Sequence, residues 1–184
     1  QYFSPEIKPF LTEEFISKYH KNQTETKWIE ETKKENPEDF DKKRLEGEND
    51  NYICEVIRKK KTKEFIIYMN KNAISFDSFI QESIFETNPF LLEHDKINII
   101  EYAAFFGCME IINFMVIEEK IEIIPSMWEY SIHSENVELI QYLEDNKILP
   151  TDNKYKNTLR ESIKCHHNDV SRYILNYLIK EEEI

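Results

Sequence analysis

Glycine is nearly absent: Gly47 and Gly107 are the only two in 184 residues, against an average of roughly 7%. Folds that turn on glycine-rich hairpins, such as sandwiches and barrels, are thereby disfavoured. Neither a glycine-rich phosphate loop nor a G-x-S-x-G nucleophile elbow can be written with those two residues. Cysteine is scarce and odd in number. Cys54, Cys108 and Cys165 are scattered, which suits reduced thiols inside a cell rather than a disulfide framework. No apolar run reaches the roughly eighteen residues of a membrane span, since even Tyr102 to Ile117 is broken by Glu110 and Asn113. The chain opens at Gln1 rather than Met, and QYFSPEIKPF lacks the apolar centre of a signal peptide. A soluble, intracellular, cytoplasmic protein is expected. Positive charge is also short, at 24 Lys and Arg against 36 Asp and Glu. Residues 1–64 carry 15 acids and 14 bases, whereas residues 65–184 carry 21 and 10. A surface of that sign repels phosphate backbones, so nucleic acid is an unfavoured partner for the second part.

What the chain does have is 40% apolar and 13% aromatic content, enough to bury the core of one domain or of a short repeat array. It also repeats itself. EYAAFFGCMEIINFM from Glu101 is followed by EYSIHSENVELIQYL from Glu129, an offset of 129 − 101 = 28 that also lays Glu110-Ile111-Ile112 on Glu138-Leu139-Ile140. At a further offset of 31, Ser131-Ile132 becomes Ser162-Ile163 and Tyr142-Leu143 becomes Tyr173-Ile174. An earlier copy, Glu64 to Ile74, matches Glu138 to Ile148 at an offset of 74. Repeats of this length mean stacked units, each too small to bury its own apolar face.

Within a unit, Ile111, Ile112 and Met115, then Leu139, Ile140 and Leu143, form the buried stripe of a second helix. A first helix with small residues, Ala103 and Ala104 or Ser131, precedes it across a turn at Gly107-Cys108. Small side chains allow close approach, and Gly107 suits a positive φ. Pro125 and Pro150 are read as stops after second helices.

The text Ala103-Ala104-Phe105-Phe106-Gly107-Cys108-Met109-Glu110-Ile111-Ile112 resembles the ankyrin repeat, whose usual form is two alanines, two variable residues, Gly-His, one variable residue and Glu-Ile-Val. Residues 126–149 and 157–180 are similar but degenerate, with Glu135-Asn136 and His166-His167 in place of Gly-His. Several separated phrases also resemble a divergent ankyrin-type domain at the N-terminal end of large ankyrin-repeat proteins of unicellular eukaryotes. They are Arg44 to Cys54, Glu64 to Tyr68, Ser83 to Leu91 and Glu101 to Gly107, and together they span roughly residues 37–180. The resemblance implies a scaffold that binds other proteins and lends no catalytic residue. The chain departs from the family in its spacings of 28 and 31, short of about 33, and in lacking Asp- and Gly-rich hairpins between units.

The expected fold is therefore all-α: an ankyrin-like helical solenoid over residues 37–184 behind an N-terminal helical cap over 1–36. The cap is read from Phe10, Leu11, Phe15, Ile16 and Tyr19 on a helix opening at Thr12-Glu13-Glu14 and broken at Asn36-Pro37. The expected function is that of a non-catalytic protein-interaction module with no cofactor and no metal; the alternative is a permanent structural subunit of a larger assembly, such as a cytoskeletal or ribonucleoprotein particle. The resemblance places the variable, groove-facing positions at Tyr102, Phe105 and Phe106, then Tyr130, His133 and Ser134, then Glu161, Lys164 and Cys165. The first two sets are the proposed partner-binding residues. Exposed aromatics there would be hot spots; alternatively the segment Phe79 to Leu92 covers them as core.

Other clusters carry blander readings. His133, Cys165, His166 and His167 show no CxxC or HxxxH spacing that would converge on a metal. Acid pairs such as Glu118-Glu119 and Glu144-Asp145 read as solvated helix ends. Arg58 to Lys63 is the one basic run and falls in the turn between two helices, where solvated charge is ordinary.

Overall fold

The computed structural model describes Lys33, residues 36–94 and residues 96–179. The cap helix expected at residues 10–34 lies outside the described residues, Lys33 apart. Among the described residues the structure is helical, with one isolated antiparallel bridge between Phe79 and Asn98, and no helix is long and apolar enough to cross a membrane. Two compact units divide the chain: Gln1–Asn51 with Gln81–Asp95, and Tyr52–Ile80 with Lys96–Ile184. This division does not fall at the expected boundary between residues 36 and 37. Asn36 and Pro37 start a helix here, and the expected break of a preceding helix at these residues lies outside the described residues.

In the first unit, α1 (Pro37–Glu46) has Asn36 as its N-cap, whose side chain accepts from the Asp39 amide, and Pro37 at its first position, where the missing N–H costs nothing. It closes on Gly47 in the left-handed region. Residues 37–51 stay with the 81–95 segment through specific ties. Thr87 donates its amide and hydroxyl to the Gly47 carbonyl at 3.1 and 2.7 Å, the buried Asn49 side chain donates to the Gln81 carbonyl at 2.8 Å, and Phe40 meets Phe85 edge-on.

The second unit is built of helix pairs. They are α2 (Tyr52–Arg58) with α3 (Thr62–Lys71), α5 (Ile99–Phe105) with α6 (Met109–Ile117), α7 (Met127–Ser134) with α8 (Val137–Asp145), and α9 (Lys156–Lys164) with α10 (Asn168–Tyr173), which continues as a π-helical turn, Ile174–Leu178. The short α4 (Pro89–Leu92) belongs to the first unit. Each first helix packs on the next, α2 on α5, α5 on α7 and α7 on α9. The predicted stripes are the buried faces: Ile111, Ile112, Met115, Leu139, Ile140 and Leu143 are all interior. Ala103, Ala104 and Ser131 are fully buried on the first helices, the close approach that small side chains permit.

The turn inside each pair is the same turn four times. Lys60, Gly107, Glu135 and His166 all take a left-handed conformation with φ between 49° and 61°. In each, that residue's amide bonds back to the carbonyl three residues earlier, on Ile57, Ala104, Ile132 and Ile163. The basic run thus sits in a turn, as expected. Second helices end the same way twice over: Asn72 and Asn146 each donate a side-chain N–H to the carbonyl of Tyr68 or Tyr142, and Ala73 and Lys147 follow with positive φ.

The prolines do not stop these helices. α6 ends at Ile117 and α8 at Asp145, closed by the left-handed Lys120 and Lys147, which turn the chain before either proline is reached. Pro125 instead lies two residues ahead of α7, where its carbonyl accepts from the Trp128 amide.

Candidate functional site

Helices that pack in sequence bring equivalent positions of successive units side by side. Offsets of 28 and 31 place Phe105, His133 and Lys164 at one repeat position, since 105 + 28 = 133 and 133 + 31 = 164. The C-terminal ends of the first helices accordingly carry a continuous ladder of side chains. Arg58 on α2 donates to the Tyr102 hydroxyl at 2.9 Å. Tyr102 and Phe105 each pack on Phe106, at 4.9 and 5.0 Å between ring centres. Phe105 stacks on the His133 imidazole at 4.6 Å and 24°. His133 Nε2 then lies 3.2 Å from Glu161 Oε1, and Lys164 donates to Oε2 of the same carboxylate at 2.9 Å.

Burial separates the expected partner-binding residues into two groups. Tyr102, Phe105 and Tyr130 are interior, at 0%, 7% and 2% exposure, while Phe106, His133 and Ser134 are half-buried. The three interior rings present no surface, so the expectation of exposed groove aromatics does not hold for them. Their cover within this unit comes from packed first helices: Arg58 reaches Tyr102 from α2, and His133 lies on Phe105 from α7. Ser134 is used locally, donating to the Ser131 carbonyl at 2.8 Å and accepting from the Asn136 amide.

At the far end of the ladder stands a cluster that spacing did not reveal. His133, Glu161 and Cys165 bring one imidazole nitrogen, one carboxylate oxygen and one thiol within 4.8 Å of one another. Glu161 lies in the last turn of α9 and Cys165, four residues on, caps that helix in right-handed helical conformation, so both fall on one face, and α7 supplies the histidine. Cys165 is seated by the apolar cluster around Ile132, Ile174 and Ile179. Beside it, His167 Nδ1 pairs with Glu135 at 2.5 Å. Reading Cys165 with His166 and His167 as chain neighbours missed the set, because its members come from different helices. The repeat offset held the signal.

The electrostatics follow from burial. Burial holds the His133 imidazole below its ordinary value, outweighing the neighbouring Glu161 carboxylate. Burial also pushes the Cys165 thiol up, with Glu161 adding to it. A nucleophilic cysteine needs the opposite shift. The sulfur stands 3.6 Å from Nδ1 and 3.9 Å from Nε2. Cys108 is a structural thiol, donating to the Ile57 carbonyl at 2.9 Å and pushed by burial to about 11.

No protein-family model, curated protein or solved structure matches the chain.

Proposed function

We propose that this chain is a non-catalytic protein-interaction module of the cytoplasm, an ankyrin-type solenoid of degenerate repeats behind an N-terminal helical cap. The observation that carries this reading is the fourfold turn at Lys60, Gly107, Glu135 and His166, repeated between helices whose first members pack in succession. Stacked units of this kind offer a row of equivalent side chains along one edge, which is how repeat proteins recognise extended partners. Phe106, His133 and Ser134 are the members of the expected contact set that solvent reaches. The acidic balance of residues 65–184 favours a partner segment that is not itself acidic.

A second reading, a permanent subunit of an assembly, draws on apolar side chains left in solvent: Leu45, Ile67, Val137 and Tyr177 are 87%, 64%, 71% and 75% exposed.

The test is affinity capture from the cell lysate across a salt series, with a Phe106→Ala, Ser134→Arg double variant checked for fold by circular dichroism. One protein retained by the wild type and lost by a folded variant supports the module. Equal retention by both, or no retained protein, removes it. Sedimentation of the isolated chain separates the two roles, a monomer favouring the regulatory binder and concentration-dependent association the permanent subunit.

A further inference from the structure

We propose that His133, Glu161 and Cys165 form a binding site for a zinc-type divalent cation that clips α7 to α9. The donor set decides the class of ion. One nitrogen, one oxygen and one sulfur suit a borderline metal such as Zn2+, whereas Ca2+ and Mg2+ take oxygen throughout.

The geometry is close to what that ion needs. Tetrahedral zinc with bonds of about 2.0–2.3 Å sets its donors roughly 3.3–3.6 Å apart. His133 Nε2 and Glu161 Oε1 already stand 3.2 Å apart, and Cys165 Sγ lies 3.6 and 3.9 Å from the two ring nitrogens. A turn of the imidazole about its Cβ–Cγ bond aims one nitrogen between the sulfur and the carboxylate. Cys165 is half-exposed, so water completes the fourth position.

The surroundings support the carboxylate donor. Lys164 holds Oε2 of Glu161 while Oε1 faces His133 Nε2, the kind of outer contact that orients a metal-binding carboxylate. Binding breaks the Cys165 S–H bond as the metal–sulfur bond forms, and that proton leaves to solvent.

The site shares His133 with the expected contact set but rests on the three converging donors alone, and its test needs no partner. The chain, carrying no affinity tag, is titrated with Co2+ and then with Zn2+. One equivalent of Co2+ is expected to give the intense visible bands of a tetrahedral ion and the near-ultraviolet charge-transfer band of a cobalt–thiolate bond. Zn2+ is expected to bleach both. Zn2+ at roughly 100-fold above its Kd is expected to raise the melting midpoint by roughly 5–10 °C. Cys165→Ser abolishes the charge-transfer band, and His166→Gly, one residue away, leaves it unchanged. Absence of a thiolate band in the wild type overturns the site, and this arm requires no variant to fold. A band that survives in Cys165→Ser also overturns it, since the thiolate would then be Cys54 or Cys108.

Discussion

The Asn136 side chain donates to the Gly107 carbonyl at 3.1 Å, and a Cβ placed on Gly107 would stand 3.2 Å from Asn136 Cβ and 3.0 Å from Ser134 Cβ. The turn of one helix pair is thus seated directly against the turn of the next. Gly107 answers two demands at once, a φ of 61° and the lack of room. Gly107→Ala should therefore cost more than the left-handed backbone alone, which is about 1 kcal/mol. We expect a loss of about 2–4 kcal/mol, because backbone and neighbouring turn must both shift. Urea unfolding measures it, and a loss under about 1 kcal/mol would mean that the two turns yield easily.

The other three turns carry residues that the same conformation disfavours. Lys60 has φ 53° and its side chain is exposed, so a glycine there relieves strain without removing packing. Lys60→Gly is expected to stabilise the chain by about 0.5–1 kcal/mol, despite glycine's greater freedom in the unfolded state. A fall in the urea midpoint would show that the lysine has a packing role in the turn.

These turns mark how far the sequence could be read. The repeat offsets marked the successive units, and the two stripes read from them, on α6 and α8, are buried because a stacked unit must present the same face each time. They also place Phe105 beside His133. They could not tell whether that row is surface or interior. The closing of Tyr102 depends on Arg58, 44 residues earlier, and on how closely α2 approaches α5. Cys165 and Glu161 joined His133 for a similar reason: convergence is a property of two packed helices, invisible to spacing within one. The prolines misled because left-handed residues had already ended the helices upstream.

Entry into α9 depends on Asp152. Burial raises its carboxyl, but the backbone amides of Lys154, Asn157, Lys156 and Tyr155 together outweigh it, and the net shift is downward from 3.8. Two of these bonds are direct, Lys154 N to Oδ1 at 3.0 Å and Asn157 N to Oδ2 at 2.9 Å. A carboxyl lowered on folding holds its proton less tightly in the native chain than in the unfolded one. Its contribution is therefore complete above pH 3.8 and is lost as the pH falls below that value towards the folded pKa. Asp152→Asn should destabilise at neutral pH, and the gap from wild type should narrow in acid. Paired urea midpoints from neutral pH down to about pH 3 follow it. A gap that stays constant would assign the effect to shape rather than charge.

Glu101 and Glu129 hold equivalent positions, 28 residues apart, and each accepts a hydroxyl from the segment leading to the next first helix. Ser126 donates to Glu101 at 2.5 Å and Thr151 to Glu129 at 3.0 Å. Their environments differ. Glu101 is 7% exposed and also accepts the Asn98 amide at 2.7 Å, whereas Glu129 is half-buried and its bond to Thr151 is exposed. Removing Glu101 leaves two donors of part-buried bonds without their acceptor, whereas removing Glu129 breaks one exposed bond, whose net worth is about 0.5–1.5 kcal/mol. Glu101→Ala should thus destabilise by about 2–4 kcal/mol and Glu129→Ala by about 1. Chemical denaturation of the two variants in parallel distinguishes burial from repeat position as the source of the energy. Equal losses would assign it to the repeat position.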